Sequence, residues 1–363
     1  MPLYDLVGAP ADAGFTYGQA VRSLLTAPFR ERYLESVGRC TRTTRTDLSS
    51  QAHRWLARLP VAHQLEIEGM AAGARVSTPA VAEFLYADIA RASDGAGDSA
   101  GNSTSEAVDT GPLCSAAAGG EDSTVWIARN CDWLFTTLQR GVAAVVHRTP
   151  HRIPVLAVGI QGDIDVDTGL NAEGLWLHLH TLHSIDAVPP DRTCISWLFW
   201  AREALETCAD LQELERFIEG TTRDRGVLVI AADGKSGDAA IFECGRASHR
   251  RIDRVGPFLA ATNHSPDKSI DAERARIARS GSSVARYCAL RERLSAQTPS
   301  RLPEDLVRLL ADPAVEMRTP THLRTIYSAV AEPARGNLWF AAGDATGRPA
   351  ASTGTWARVP IPF

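Results

Sequence analysis

Two places in this chain bring together residue types whose spacing could do chemistry. The first centres on Cys114, which stands where a stretch poor in apolar residues, ASDGAGDSAGNSTSEAVDTGP at 92–112, gives way to strand-like sequence. Arg129 and Asp132 follow, three residues apart, at the end of the strand pair that Cys114 opens. A cysteine thiolate is a strong nucleophile. An arginine can hold its negative charge, and a carboxylate can fix an ammonium or the arginine itself. The alternatives are a small core cysteine and a surface ion pair worth about 0–1 kcal/mol. The second place is LHLHTLH, where His178 and His180 share one face of a strand as metal ligands do, with His183 beyond them. No second His-x-His or His-x-x-x-Asp accompanies them. Their expected place is therefore in the lining of a pocket or on an exposed strand, and no metal is assigned.

The elements that must position these residues change character along the chain. From Tyr17 to about Leu85 apolar residues recur at three and four spacing, which predicts helices, with Ser77, Thr78 and Pro79 as the cap and first turn of the last one. The Gly, Ser, Asp and Thr run at 92–112 predicts a linker. After it the period becomes two, in STVWIARN, GVAAVVHRTP, RIPVLAVGIQG and GLWLHLHTL. A helical stretch from Ile195 to about Glu219, a hairpin in VLVIAADGKSGDAAIFECG and strands at PFLAATN and NLWFAAG follow, with helical sequence in DAERARIARSGSSVARYCALRERL. Asn171 and Gly174 in GLNAEGL read as a turn between strands. This order suits helices layered on antiparallel sheets.

Composition narrows the function classes. The 363 residues are 44% hydrophobic and 22% charged, enough for a sizeable core. A net charge of -5 supplies no basic field for a polyphosphate backbone, which argues against a nucleic-acid partner. No run of about 20 apolar residues is available to span a membrane, and the N-terminus lacks the pattern of a signal peptide, so a cytoplasmic protein is expected. Seven cysteines without CxxC pairs fit neither a disulfide framework nor a zinc ribbon.

Several stretches, in one order along nearly the whole chain, resemble the penicillin acyltransferase family, peptidase family C45 of the N-terminal-nucleophile hydrolases. They are GAPADAGFTYGQA, EIEGMAAGA, the block from Cys114 through Ala128-Arg129-Asn130-Cys131-Asp132-Trp133, GLNAEGLWLHLHTLH, ATNHSPD, SSVARY and IYSAVAEPARGNLWFAAG. The resemblance implies an α+β fold, a four-layer αββα sandwich with an N-terminal helical pro-segment. It implies self-cleavage between Leu113 and Cys114, leaving a helical segment 1–91, a linker 92–113 ending at the cut, and a catalytic part 114–363. The new α-amino group, with an ordinary pKa of about 7.7–8.0, would then take the thiol proton near neutral pH. Catalytic roles are implied for Cys114, Arg129, Asp132, Asn263 as an oxyanion donor and Arg286. A second donor is expected in the main chain near His180 or Thr181. Cys131 is given no chemistry.

The implied activity is hydrolysis of a small N-acyl or peptide-like amide, or transfer of its acyl group to an amine, without a cofactor. Expected partners are that small-molecule substrate, an acyl acceptor amine or acyl-CoA, and the cleaved N-terminal chain itself in an αβ heterodimer. Trp133, Phe135, Trp176, His178, His180 and Thr181 are candidates for the pocket wall. Two other readings stay open: a metal-dependent hydrolase using His178 and His180, and an unprocessed, non-catalytic member of the fold. Leu113 favours the latter, because a leucine crowds the scissile carbonyl.

Overall fold

The computed structural model describes residues 1–93, 113–120, 124–134, 140–182, 186, 194–266, 282–318, 323–344 and 347–363. Residues 94–112 of the expected linker, Phe135, His183 and the expected helical sequence at 267–281 lie outside them. The N-terminal part runs β1 (Leu3–Val7), α1 (Pro10–Ala20), α2 (Arg22–Leu25), α3 (Ala27–Thr41), α4 (Arg45–Leu56), α5 (Val61–Ala74) and α6 (Thr78–Ser93). Then come β2 (Leu113–Gly119), β3 (Trp126–Leu134), β4 (Val142–Arg148), β5 (Val155–Ile160), β6 (Thr168–Asn171), β7 (Leu175–Thr181) and β8 (Cys194–Ile195). They are followed by α7 (Trp197–Thr207), α8 (Leu211–Gly220), β9 (Thr222–Arg223), β10 (Val227–Asp233), β11 (Ala239–Cys244), β12 (His249–Asp253) and β13 (Phe258–Ala261). The chain closes with α9 (Ser282–Ala296), α10 (Glu304–Leu310), β14 (Leu323–Glu332), β15 (Asn337–Ala342), α11 (Ala350–Thr353) and β16 (Ala357–Arg358).

Strands β1-β4-β5-β6-β7-β10-β11-β12 form one sheet and β13-β2-β3-β14-β15-β16 a second. All neighbours in the two sheets pair antiparallel except β1 with β4. The sheets face each other where β2 meets β7 and β11 meets β13. Helix α7 covers β5 to β7 and α8 covers β10 to β12, while α9, α10 and α11 cover the second sheet. The fold is therefore an αββα sandwich. Period-two alternation sorts each strand of the second sheet between two cores. Ala116, Ala118, Ile127, Cys131 and Trp133 join the core between the sheets. Ala117, Trp126 and Ala128 join the core under the outer helices.

Three local features depart from the periodicity reading. The first long helix begins at Pro10, with proline in its first turn, not at Tyr17. The helical stretch expected from Ile195 to about Glu219 is divided into two helices, because Asp210 caps α8 by accepting from Glu213 N–H at 2.8 Å. The Glu213 carboxylate reaches back to Ala209 N–H at 2.8 Å. The N-terminal residues also contribute β1 to the larger sheet.

The two glycine-bearing stretches GAPADAGFTYGQA and EIEGMAAGA turn out to be each other's partner. Helices α1 and α5 cross backbone to backbone. A Cβ on Gly14 would come 2.0 Å from Glu66 O, on Gly18 2.1 Å from Met70 O, on Gly69 2.1 Å from Ala11 O and on Gly73 2.1 Å from Phe15 O. Four glycines a helical turn apart thus remove the side chains that would keep the helices separate. Below this crossing, α5 is tied to α7. Buried Glu66 pairs with Arg202 at 2.7 Å, Arg202 pairs with Glu206 at 2.9 Å and donates to Ile164 O at 2.7 Å, and His63 meets Glu203 at 2.9 Å. Burial pushes the Glu66 carboxyl up, but Arg202 and the two nearby histidines outweigh it and hold it at about 2. Among the described residues no helix is long and apolar enough to cross a membrane.

These contacts give two expectations for denaturant unfolding. Gly18→Ala should cost about 2–3 kcal/mol, because the helices must part, while Gln19→Ala on the exposed face of α1 should change stability by about 0.5 kcal/mol or less. Equal effects would refute the close crossing. Arg202→Met should cost about 3–5 kcal/mol by stranding the Glu66 charge, and adding Glu66→Gln should recover part of that loss. No recovery would mean that Arg202 matters for packing alone.

Candidate active site

Cys114 is the second residue of β2 and is 3% exposed. Its position in the ladder decides what can reach it. Leu113 lies opposite Asp132, Cys114 opposite Cys131, Ser115 opposite Asn130 and Ala116 opposite Arg129. Arg129 and Cys131 therefore point to the same side of the sheet as the Cys114 thiol, into the space between the sheets. Asp132 points to the other side, toward α9. An odd spacing of three along one strand cannot put two side chains on one face. Arg129 and Asp132 thus serve opposite sides of the cysteine, and the Asp132–Arg129 pairing that the sequence left open is not formed.

On the inner side, Arg129 is fully buried. It donates to Cys114 Sγ at 3.2 Å, to Asp167 O at 3.0 Å and to Thr168 Oγ1 at 2.5 Å, and it pairs with the Asp167 carboxylate at 3.1 Å. Its guanidinium lies 5.3 Å from the centre of the Tyr327 ring. Burial works against its charge, but Asp167 and Tyr327 more than compensate, so it stays a cation. It is a buried ligand of sulfur, not a surface arginine. Tyr327 OH completes the inner cluster, donating to Asp167 Oδ2 at 2.7 Å and accepting from Thr168 Oγ1–H at 2.8 Å.

On the outer side the main chain of Cys114 is held at both ends. Its N–H donates to Asn263 Oδ1 at 2.8 Å, and its carbonyl accepts from Arg286. Arg286, which projects from α9, also donates to Ser115 Oγ at 2.7 Å and to Asn263 Oδ1 at 3.1 Å, and stands 3.9 Å from Asp132 Oδ2. It too is buried. Asp132 is wholly enclosed. One oxygen accepts from Thr325 Oγ1 at 2.5 Å and the other has no hydrogen-bond partner among the described residues. Burial raises its carboxyl to about 6 against the pull of Arg286 and Thr325.

A bulge in β14 feeds both sides. Thr325 pairs with Asp132 and Tyr327 with Cys131, with Ile326 as the extra residue between them. Without it, Thr325 and Tyr327 would share a face. The bulge lets one reach Asp132 and the other reach the Arg129 cluster.

Asn263 follows β13, whose pairing with β2 brings it to the start of that strand. Its amide N–H groups donate to Thr181 O and Thr181 Oγ1, both at 3.2 Å. In this form of the chain Thr181 takes up the donors expected for an oxyanion. His178 and His180 are buried, not exposed. Trp176 Nε1 donates to His178 Nδ1 at 2.9 Å, and His180 Nδ1 meets Thr262 O at 2.7 Å. Burial, with Arg129 nearby, pushes both rings well below the usual histidine range, so both are neutral. No third ligand completes a metal set with them among the described residues, where the one group of three or more candidate ligands is Glu215, Glu219 and His249, on α8 and β12. Asn171 shapes its turn as expected, accepting from Glu173 N–H and Leu175 N–H, with Gly174 at φ +83°.

Sequence reading missed Ser115, Asp167, Thr168, Thr325 and Tyr327. Asp167 and Thr168 lie outside every stretch with a recognisable pattern, and Tyr327 depends on a bulge that no periodicity announces.

Solved structures similar to this chain include penicillin V acylase from Agrobacterium tumefaciens (17% identity, 63% of this chain and 83% of that one, TM-score 0.48). Another is the Caenorhabditis elegans N-acylethanolamine-hydrolyzing acid amidase ortholog (15% identity, 68% and 100%, TM-score 0.47). A third is a mutant form of the conjugated bile acid hydrolase from Clostridium perfringens (11% identity, 68% and 97%, TM-score 0.46). No curated protein sequence matches the chain. Residues 119–346, more than half of the chain, match the family model for acyl-coenzyme A:6-aminopenicillanic acid acyl-transferase. The span begins downstream of Cys114 and takes in Arg129, Asp132, Asn263 and Arg286. The chain belongs to this penicillin acyltransferase family and is an amidase or acyltransferase of the N-terminal-nucleophile hydrolase fold, acting on amide bonds.

Proposed function

We propose that this protein cuts itself between Leu113 and Cys114 and then uses Cys114 as an N-terminal nucleophile on the amide bond of a small N-acyl or peptide-like molecule. The observation that carries this reading is the treatment of one residue. A buried cation donates to the Cys114 thiol at 3.2 Å, while Asn263 and Arg286 hold the N–H and C=O of the same residue. A structural core cysteine needs partners for its main chain but no buried cation on its sulfur.

In the first step the Cys114 sulfur attacks the Leu113 carbonyl carbon. The C–N bond breaks, the Leu113 acyl group passes to sulfur, and the nitrogen leaves as an amine. Water then hydrolyses the thioester, giving a Leu113 carboxylate and a free thiol. Leu113 packs with Met317 and Leu323, which fixes the bond under attack. Asp132, opposite Leu113 and with one oxygen that accepts no hydrogen bond among the described residues, would receive the new ammonium beside Arg286, and that charge would draw its carboxyl back down.

In the second step the α-amine takes the thiol proton, Arg129 holds the thiolate, and sulfur attacks the substrate carbonyl. The oxyanion is met by the Asn263 amide once it turns from Thr181, together with a main-chain N–H near His180 or Thr181, a contribution of about 3–4 kcal/mol. The amine product leaves. Water or an acceptor amine resolves the acyl-cysteine, and acyl-CoA is an alternative acyl source. The α5–α7 ion pairs keep the 1–91 piece bound as the small chain of an αβ heterodimer, with 92–113 as the linker and 114–363 as the catalytic part. We place the protein in the cytoplasm, where its cysteines stay reduced.

Intact mass tests the first step. Wild-type protein should separate into two chains, the second beginning at Cys114, and Cys114→Ala should stay whole. If both remain whole, the unprocessed, non-catalytic reading gains ground. Asp132 provides a second measurement in uncut Cys114→Ala. Its carboxyl at about 6 lies above the ordinary 3.8, so its contribution to stability is complete below the unfolded value and is lost as pH rises through the folded one. Relative to the Asp132→Asn, Cys114→Ala double variant, Cys114→Ala should therefore lose about 2–3 kcal/mol of unfolding free energy between about pH 4 and 7. A constant difference over that range would mean that Asp132 is already ionised in the uncut chain.

A further inference from the structure

Two thiols face each other at this site. Cys131 stands directly opposite Cys114 in the β2–β3 ladder, both side chains point into the space between the sheets, and both are buried and free. The other strand cysteines are differently placed. Cys194 faces Thr222, and Cys244 faces Val227 and His249.

The kind of cross-strand pair decides how close the two sulfurs come. Opposed residues in an antiparallel ladder either exchange their main-chain hydrogen bonds or turn those groups away, and in the second case the Cα atoms are only about 4.5 Å apart, with the side chains closer. The Cys114 N–H, which an exchanging pair would direct at Cys131, goes to Asn263 Oδ1 beyond β13, on the other edge of β2. Cys114 and Cys131 are therefore a narrow pair. That spacing falls inside the range of about 4.4–6.8 Å that a disulfide bridges, at its short end.

The two thiols are not equivalent. Arg129 donates to Cys114 Sγ at 3.2 Å, whereas Cys131 Sγ donates to Asp167 Oδ2 at 3.5 Å. Burial, with the Cys114 thiol in contact, pushes the Cys131 thiol well above the usual range. One sulfur thus sits beside a cation that favours its thiolate, and its neighbour is kept as a protonated thiol.

We infer that Cys131 is a resolving cysteine, which closes a disulfide with Cys114 after a peroxide has oxidised the nucleophile. The inference rests on Cys114 as the nucleophile of the cut chain, because a peroxide reaches the sulfur wherever a substrate does, and it adds a modification site to that reading. The Cys114 thiolate attacks one oxygen of hydrogen peroxide, the O–O bond breaks, and hydroxide leaves a sulfenic acid behind. Cys131 sulfur then attacks Cys114 sulfur and the S–O bond breaks. The Cys131 proton, passed through Asp167, leaves with the hydroxyl as water. The two thiols are oxidised to one disulfide and the peroxide is reduced to water. The nucleophile is then blocked until a thiol reductant releases it. A short, strained bridge is of the readily reduced kind, which suits a reducing compartment, where disulfides are transient. Without Cys131, further peroxide carries the sulfenic acid on to sulfinic acid, which thiols do not reverse.

The test treats cut wild-type protein with hydrogen peroxide and maps its peptides by mass. The Cys114 and Cys131 peptides should be joined, about 2 Da lighter than their sum, and dithiothreitol should restore both the separate peptides and the alkylation of Cys114 by iodoacetamide. Cys131→Ser and Cys131→Ala should still be cut at Cys114, which reports that they fold. In them the same treatment should add about 32 Da at Cys114, and dithiothreitol should not remove it. If neither variant is cut, the wild-type peptides alone decide. A cut wild-type chain whose Cys114 stays unmodified, or is oxidised without a link to Cys131, would overturn the inference and leave the nucleophile standing. So would a cut variant that recovers Cys114 as fully as wild type does. Protein that never splits at Cys114 would instead overturn the nucleophile, and the inference with it.

Discussion

A β-strand has two faces, and this site depends on that. Placing a cysteine in the middle sheet layers of an αββα sandwich sends its side chain into the space between the sheets. Its backbone neighbours then face the helices on the other side. The thiol and the main chain of Cys114 are consequently addressed by two separate sets of groups. Arg129, Thr168, Asp167 and Tyr327 gather around sulfur, and Asp132, Asn263, Arg286 and Thr325 gather around the peptide unit. Each set contains its own buried arginine and its own carboxylate. The two chemistries asked of Cys114, attack by sulfur and release of nitrogen, are thus served from opposite faces of one strand.

Burial of so much charge demands many correctly placed partners. An unpaired ion in such an interior is costly, whereas one with several correctly placed partners can persist. Arg129 has Cys114, Asp167, Thr168 and Tyr327 around it, and Arg286 bridges Cys114, Ser115 and Asn263. The bulge in β14 answers the same need, since it lets neighbouring side chains of one strand satisfy groups on both faces. Far from the site, the same principle links the N-terminal helices to the rest through Glu66 and Arg202.

Much of the plan was legible in the chain. Period-two runs located β3, β4, β5, β7, β10 and β11, and a change of period marked Cys114 as the start of a strand. Ordered resemblances over most of the chain pointed to the family, and Arg129, Asp132, Asn263 and Arg286 were named from their motifs. All four meet around Cys114. The glycines of GAPADAGFTYGQA and EIEGMAAGA were visible as markers, but their purpose was not, because a close helix crossing is a property of two segments and neither shows it alone.

What the sequence determined by itself is therefore the layering, through hydrophobic period, and the identity of the residues with chemical capacity. Tertiary structure alone decided how they are paired. Asp132 turned from Arg129 to Arg286 because cross-strand register assigns faces. Asp167, Thr168 and Tyr327 entered through strand neighbours far away in sequence and through an irregularity in β14. His178 and His180 went from candidate ligands to neutral, buried neighbours of Arg129, since the charge a histidine carries is set by what surrounds it in space. Local pattern follows from the backbone's own geometry, whereas electrostatic partners are fixed only when distant strands close on one another.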